Sequence, residues 1–293
     1  MKHQFIDANR SRHGVAALCR ALQVSRSGYY AARSRPPSAH SERQQMLTSQ
    51  IRAIHVASRD TYGAPRIRAE LAAQGLRCCV NTVAKLMRQA QIMPKMIRRF
   101  RATTNSRNTK ASPNLVGRVF EVERPNACWV SDITYIPTRE GWLYPAGVLD
   151  LYSRAIVGWA MSKTLDTQLA TDALNMAIRR RGVGPAILHS DQGSTYATAE
   201  YRTLLSRHGI RQSMSRKGDC WDNAPMESFF HTLKTELVMH CDYKTRDQAR
   251  ASLFDYLEVF YNRQRRHSTI NYDSPLAFER KDQPLNPVST IRG

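Results

Sequence analysis

Apolar and polar positions change rhythm once along this chain, near residue 126. Before that point apolar residues recur in steps of three and four. Val15-Ala16-Ala17-Leu18-Cys19-Arg20-Ala21-Leu22 predicts a short amphipathic helix. Gln23-Val24-Ser25-Arg26-Ser27-Gly28 then supplies a turn and a serine cap for a second helix through Tyr29-Tyr30-Ala31-Ala32-Arg33. Pro36-Pro37 interrupts helix, and a longer one is predicted over 41–57. The next begins at Tyr62-Gly63-Ala64-Pro65, with the proline in its first turn, and is stopped by Gly75. A further helix is predicted over Val80–Arg88 with Asn81 as its cap; Val83, Leu86 and Met87 face inward, and Thr82, Lys85 and Arg88 outward. Two helices around a tight turn make the helix-turn-helix outline, whose second helix enters the major groove of DNA. It occurs twice, and the second copy is the preferred DNA reader. An ordinary helical hairpin has the same pattern.

After residue 126 the rhythm is that of an α/β domain. Strands are predicted at 128–136, 141–150 and 154–161 as an antiparallel meander. Pro145 inside the second cannot donate to a ladder, so a bulge or an edge position is expected there. A helix at 165–181, a strand at 186–190, a helix near 198–208, a strand at 210–214 and helices near 223–239 and 245–266 follow. No apolar run approaches the roughly 18 residues that cross a bilayer.

Charge divides the chain in the same region. Of 44 Lys+Arg and 24 Asp+Glu, residues 1–118 hold 22 and 4, and residues 119–293 hold 22 and 20. The front half is therefore +18 and the back half +2, which points the front half toward a polyanion. Residues 95–118, with Arg98 and Arg99 among their cations, read as a basic linker. The 6 cysteines form no CxxC pair, so they are expected to be reduced thiols of a cytosolic protein, with no zinc site.

Three carboxylates carry the chemistry. Asp132 lies in the alternating strand Cys128-Trp129-Val130-Ser131-Asp132-Ile133-Thr134-Tyr135, Asp191 ends the apolar run Ala186-Ile187-Leu188-His189-Ser190, and Glu227 starts a helix at Asn223-Ala224-Pro225-Met226-Glu227. Strands disfavour Asp and cores penalise bare charge, so a compensating cation is a physical reason for Asp132. Asp191 stands at a strand's C-terminal end, where α/β sheets gather ligands. Asn223, Glu227, His231 and Lys234 share one helical face. Asn223 and Pro225 suit a cap and a first-turn proline, and a helix N-terminus attracts phosphate. Lys234 is placed to meet DNA. Asp150 could add to the acidic face and His189 could orient a phosphate, but both read first as structural, His189 as a hydrogen-bonded core histidine.

Residues 192–226, thirty-five of them, separate the second acid from the third. This spacing resembles the D,D(35)E signature of retroviral integrases and DDE transposases. The words His189-Ser190-Asp191-Gln192-Gly193-Ser194-Thr195-Tyr196, Gly218-Asp219-Cys220-Trp221-Asp222-Asn223-Ala224-Pro225-Met226-Glu227, and Tyr261-Asn262-Arg263 through His267 with Ser274-Pro275 resemble insertion-sequence transposases of the IS-three family, specifically the catalytic second-reading-frame product.

The resemblance implies an α/β RNase H-like catalytic core, a mixed five-stranded sheet with flanking helices, behind an all-α helix-turn-helix region. The expected units are 1–40, 41–94, the linker 95–118, the catalytic domain 119–285 and a tail 286–293. It implies DNA strand cleavage and transfer with Asp132, Asp191 and Glu227 holding two Mg²⁺ or Mn²⁺ ions. Lys234, Asn223, Thr82, Lys85, Arg88, Arg26, Arg98 and Arg99 are the expected DNA contacts. Double-stranded DNA, as element ends and target, is the expected partner, bound by a homo-oligomer. The resemblance further implies fusion or association with the upstream-frame protein, a bacterial cytoplasmic location and no membrane contact. The alternatives are a non-catalytic DNA-binding regulator, which has no use for the acids, and a plain RNase H-like nuclease, which has no use for the basic front half.

Overall fold

The computed structural model describes residues 2–36, 38–95, 112–216 and 220–282. The chain opens with three short helices, Lys2–Asn9 (α1), Val15–Ala21 (α2) and Arg26–Ser34 (α3). Ile6, Leu18, Cys19 and Tyr29 form their small core, and the Tyr29 hydroxyl donates to Asp7 at 2.7 Å. Ser25 caps α3 by accepting from the Gly28 N–H. The sequence pattern did not foretell α1, whose polar composition carries no stripe.

Ala39–Ala57 (α4), Ala64–Ala73 (α5) and Val80–Gln89 (α6) form a second three-helix unit. Leu47, Ile51, Ile54, Ile67, Leu71, Val83, Leu86 and Met87 are its buried seam. Gly75 follows α5 with φ of 80°, a left-handed conformation that stops a helix cheaply only with glycine. The cap of α6 is Cys79, whose sulfur accepts from the Thr82 N–H, and not Asn81. The cap lies two residues earlier than expected, so Asn81 is already inside the helix.

The back half is one mixed sheet: Cys128–Ile133 (β1), Ile136–Thr138 (β2), Gly141–Asp150 (β3), Ile156–Ser162 (β4), Ile187–Ser190 (β5) and Arg211–Met214 (β6). The strand order is β2-β3-β1-β5-β6, with β4 on the other side of β3. β1, β5 and β6 run parallel, whereas β3 is antiparallel to β1, β2 and β4. Among the described residues there are six strands rather than five, because the predicted strand 128–136 bends at Thr134-Tyr135 and continues as β2. Pro145 sits opposite that bend and uses only its carbonyl, which accepts from the Thr134 N–H at 3.0 Å. The break thus belongs to the neighbouring strand, and the register shift in β3 lies later, between Val148 and Leu149.

Thr167–Arg181 (α7) covers one face of the sheet. It lies so close to β4 that a Cβ on Gly158 would fall 2.3 Å from the Ala173 carbonyl oxygen, so only glycine fits. Ala199–Arg207 (α8) adds Tyr201 and Leu205 to the same core. The other face is covered by Ala224–Glu236 (α9) and by Arg246–Phe254 (α10), which runs on as a wider π turn over Asp255–Tyr261. The helix expected to reach 266 stops there, and the Asn262 side chain instead both accepts from and donates to the Ile156 backbone, at 2.9 Å each. Pro275–Asp282 (α11) completes the described chain.

The α4–α6 unit shares one apolar cluster with this second face: Leu47, Ile51, Ile67 and Leu71 join Phe229, Tyr256, Phe260 and Tyr261. Polar contacts close the seam. Arg59 pairs with Asp255 at 2.5 Å and stacks over the Phe260 ring, Arg266 pairs with Glu70, and the Tyr62 hydroxyl accepts from the Arg266 N–H at 2.7 Å.

The segment expected to be a free linker is bound at its end. The Leu115 N–H donates to Ser213 Oγ at 2.8 Å, Asn114 and Arg118 reach Asp222, and Val116 is buried. Arg98 and Arg99 lie outside the described residues.

Candidate active site

Two neighbouring parallel strands build the centre. Ser131 of β1 is in register with Ser190 of β5, so the next residue on each brings Asp132 beside Asp191. Alternation along β1 decides which way Asp132 faces. Trp129 and Ser131 face the α7–α8 side, where Ser131 Oγ meets the Tyr196 hydroxyl at 3.1 Å. Val130 and Asp132 therefore face α9, which carries Glu227 in its first turn and Lys234 in its last.

Both aspartates are half-buried, with their carboxylates oriented by short local bonds. Asp132 Oδ1 accepts from the Ile133 N–H at 2.8 Å, and Asp191 Oδ1 from the Gly193 N–H at 2.9 Å. A Cβ on residue 193 would lie 2.8 Å from Asp191 Oδ1, so glycine keeps that approach open. Burial, reinforced by the charge of Asp191, holds the Asp132 carboxyl well above the usual carboxylate range; Glu227 pushes the same way and Lys234 opposes. Burial likewise raises Asp191. Two carboxyls that resist ionising side by side are what a cation would relieve, so the hard-oxygen donor pair fits a divalent ion. Glu227 stands on the exposed side of α9. Among the described residues, no three His, Cys, Asp or Glu side chains converge closely enough to hold an ion. The two aspartates form the pair, and the glutamate is the outlying member.

Lys234 is half-buried, its ammonium 4.5 Å from the centroid of the Tyr135 ring, and burial lowers its pKa against the pull of Asp132. Asn223 departs from expectation. It occupies the cap position of α9 but its side chain makes no cap bond, and it is 3% exposed. Its Nδ2 donates to the Ser131 carbonyl at 3.4 Å, and its buried Oδ1 has no hydrogen-bond partner. In this structure it braces β1 beside Asp132 instead of offering a surface to DNA. The helical face counted from Asn223 to Lys234 therefore begins at Glu227.

His189 is the core histidine expected. Its ring bonds to Ser213 Oγ at 2.8 Å and Ser215 Oγ at 3.2 Å, and burial brings its pKa down to about 4. Asp150 faces away from the pair, at the far end of β3. It accepts from the Asn126 and Tyr152 N–H groups, at 2.9 and 3.0 Å, and burial raises it to about 6. Thr82 lies half-buried beside the Cys79 cap, while Lys85 and Arg88 are exposed along α6. Arg26 is exposed at the first position of α3.

Two residues near the site escaped the sequence reading. Asp222, wholly buried, accepts from the Arg216 backbone and guanidinium, from Asn114 and from Arg118, all between 2.9 and 3.1 Å, and these bonds hold its carboxyl far below the usual range. It ties residues 114–118 and Arg216 to the turn that launches α9. Its place in the word Trp221-Asp222-Asn223 was the available signal. Glu236, at the far end of α9, joins Arg265, Arg66 and Tyr256. Its partners come from distant parts of the chain, and no local pattern marks it.

Comparison with known proteins agrees with this layout. Residues 122–220 and 227–282 match models described as integrase core domain, and residues 42–100 match an HTH-like domain. The chain is 43% identical over 266 residues to the "Insertion element IS600 uncharacterized 31 kDa protein" of Shigella sonnei, covering 90% of this chain and 98% of that one. It is 42% identical over 286 residues to "Transposase InsF for insertion sequence IS3A" of Escherichia coli K12, covering 96% and 99%. Among solved structures, the HTLV-2 integrase catalytic core domain in complex with magnesium aligns at a TM-score of 0.41 and 17% identity, over 53% of this chain and 97% of that one. The simian T-cell lymphotropic virus intasome in complex with PP2A regulatory subunit B56 gamma aligns at 0.46 and 15%, over 75% and 72%. With an integrase core behind an HTH-like unit, and 42% identity to InsF over nearly the full length of both chains, the chain belongs to the insertion-sequence transposases of the IS-three family.

Proposed function

We propose that this DNA transposase cuts strands at the ends of its element and joins them to a new phosphodiester, with Asp132, Asp191 and Glu227 as its catalytic and metal-holding residues. The observation that carries the proposal is the pairing of Asp132 with Asp191 on adjacent parallel strands, facing the helix of Glu227 and Lys234. Divalent ions, two Mg²⁺ or Mn²⁺ held by the three acids, would supply activation of the attacking oxygen and stabilisation of the leaving one. The protein's own groups do the rest. The short bonds from Ile133 and Gly193 fix each aspartate's orientation. Asn223 and Tyr196 brace β1 behind Asp132. Lys234 meets a phosphate beside the scissile one as a point charge.

The front half binds DNA. Lys85 and Arg88 face outward from α6 with Thr82 half-buried at its start, and Arg26 stands at the start of α3, with Arg98 and Arg99 adding phosphate contacts between the units. The units act as the first module, 1–40, the second, 41–94, the basic segment 95–118 and the catalytic domain 119–285. The protein works as a homo-oligomer on double-stranded DNA, joined by the upstream-frame protein. The test is incubation of the full chain with Mg²⁺ and duplexes carrying the element's own ends. A free 3′-OH at the element boundary is expected. Cleavage without regard to the ends would favour a plain nuclease, and end binding without cleavage a regulator.

A further inference from the structure

A hydrophobic feature beside the acids is left open to solvent. Tyr135, three residues beyond Asp132, is 43% exposed, and Trp142 on β3 is 48% exposed. Their rings pack edge to face, with centroids 5.1 Å apart and planes at 82°. The hairpin that carries them is held firmly. Thr138 Oγ1 donates to the Gly141 carbonyl at 2.6 Å, Arg246 Nε to the Trp142 carbonyl at 3.0 Å, and Arg246 Nη2 to the Glu140 carbonyl at 2.6 Å. Arg139 pairs with Asp242. The rings are thus presented to solvent by a braced support.

Exposed large aromatics on a rigid support mark a binding surface, and the neighbours indicate the ligand. The Lys234 ammonium sits 4.5 Å from the Tyr135 ring centroid and also acts on Asp132. Acid pair, cation and aromatic pair form one strip. A ligand with an anionic group and a flat apolar face, joined a few ångströms apart, matches that order, and a nucleotide has both. Resting on the strand-cutting role proposed above, we infer that Tyr135 and Trp142 form a stacking platform for a nucleobase flanking the scissile phosphate. They hold that base out of the duplex while Lys234 takes its phosphate. Stacking reads a π-face and not a hydrogen-bond edge, so the platform would fix position more than sequence.

The test uses the full chain and end duplexes carrying 2-aminopurine at successive positions flanking the cut. Binding is followed by anisotropy and stacking by quenching of the 2-aminopurine emission. Quenching at one or two positions is expected, lost in Tyr135→Ala and Trp142→Ala and kept in Tyr135→Phe and Trp142→Phe. On intact DNA each alanine variant should cleave about tenfold more slowly, the scale of one base–aromatic stack. An abasic site at the quenched position should slow the parent by a similar factor and leave the variants no further to fall. Binding without quenching at any flanking position would overturn the platform, as would alanine and abasic losses that simply multiply. A loss of self-association in Trp142→Ala, with DNA behaviour unchanged, would overturn it in favour of a contact between copies. Failure of the parent to bind any end duplex would refute the strand-cutting role itself.

Discussion

Glu236 takes both arms of the Arg265 guanidinium, Oε1 from Nη2 at 2.7 Å and Oε2 from Nε at 2.8 Å. Arg265 is 2% exposed, and Arg66 of α5 approaches the same carboxylate at 3.4 Å. The helix that carries Glu227 in its first turn thus ends on an ion pair that also touches the α4–α6 unit. Removing one member of a buried pair strands the other charge. Glu236→Ala should cost about 3–5 kcal/mol of stability, and Glu236→Gln less, because its amide oxygen still accepts from Arg265. Denaturant midpoints would check this; an alanine variant within experimental error of the parent would contradict it.

His267 shares that cluster, its Nε2 3.0 Å from Arg265 Nη1. Burial and the charges of Arg265, Arg66 and Arg154 hold its pKa well below the ordinary 6.5. The folded chain therefore keeps His267 neutral at pH values where the unfolded chain binds a proton, so stability should fall as pH drops below about 6.5. His267→Gln should flatten that decline between pH 7.5 and pH 5.5 in chemical denaturation. An unchanged slope would assign the loss to other groups.

Asp132→Asn, Asp191→Asn and Glu227→Gln should each abolish strand cleavage while end binding persists. Each amide keeps shape and loses an anionic ligand. Without metal, Asp132→Asn should also raise the melting temperature, because it removes one of two carboxyls crowded together. Near-parental cleavage in any of the three would remove that residue from the site.

Chelation should stop cleavage, and Mg²⁺ or Mn²⁺ should restore it, since the three proposed ligands are hard oxygens. The same ions should raise the melting temperature of the parent more than that of Asp191→Asn. Elemental analysis finding one tightly bound zinc per chain would contradict this ligand assignment.

Lys85→Ala and Arg88→Ala should each lower the salt slope of end binding by about one, the value of one phosphate contact. Lys234→Ala should do so on a pre-cleaved end while leaving the metal requirement of residual cleavage unchanged. A larger metal requirement with the same slope would make Lys234 a support for the ions.

Periodicity was enough for most of the fold. The alanine and leucine stripe of 165–181 became α7, and the alternation around Asp132 became β1. It failed where the third dimension decides. Nothing local says that β1 bends at Thr134, because the residue opposite the bend, Pro145, belongs to the neighbouring strand. Asn223 reads as a cap, yet burial turns its amide to β1. Cys79 caps α6 although thiols are poor acceptors. The two aspartates were legible from strand-end position and from spacing. Their register, Ser131 against Ser190, was not, and neither were Glu236, whose partners lie far away in sequence, and Asp222, which gathers Asn114 and Arg118 as well as the nearby Arg216. A cut at residue 118, natural by charge, would divide a shared core, so the charge split is better tested by substitutions in the whole chain.

The apolar seam between the α4–α6 unit and the sheet turns the protein into a ruler. On the roles proposed above, DNA gripped by α6 and by the acids of the same chain would be measured against the packed span of protein between them, not against a tether of adjustable length. Base pairs inserted between the recognised sequence and the terminus would rotate and shift the cut site away from Asp132 and Asp191. The element's ends must then keep their internal spacing as strictly as their bases.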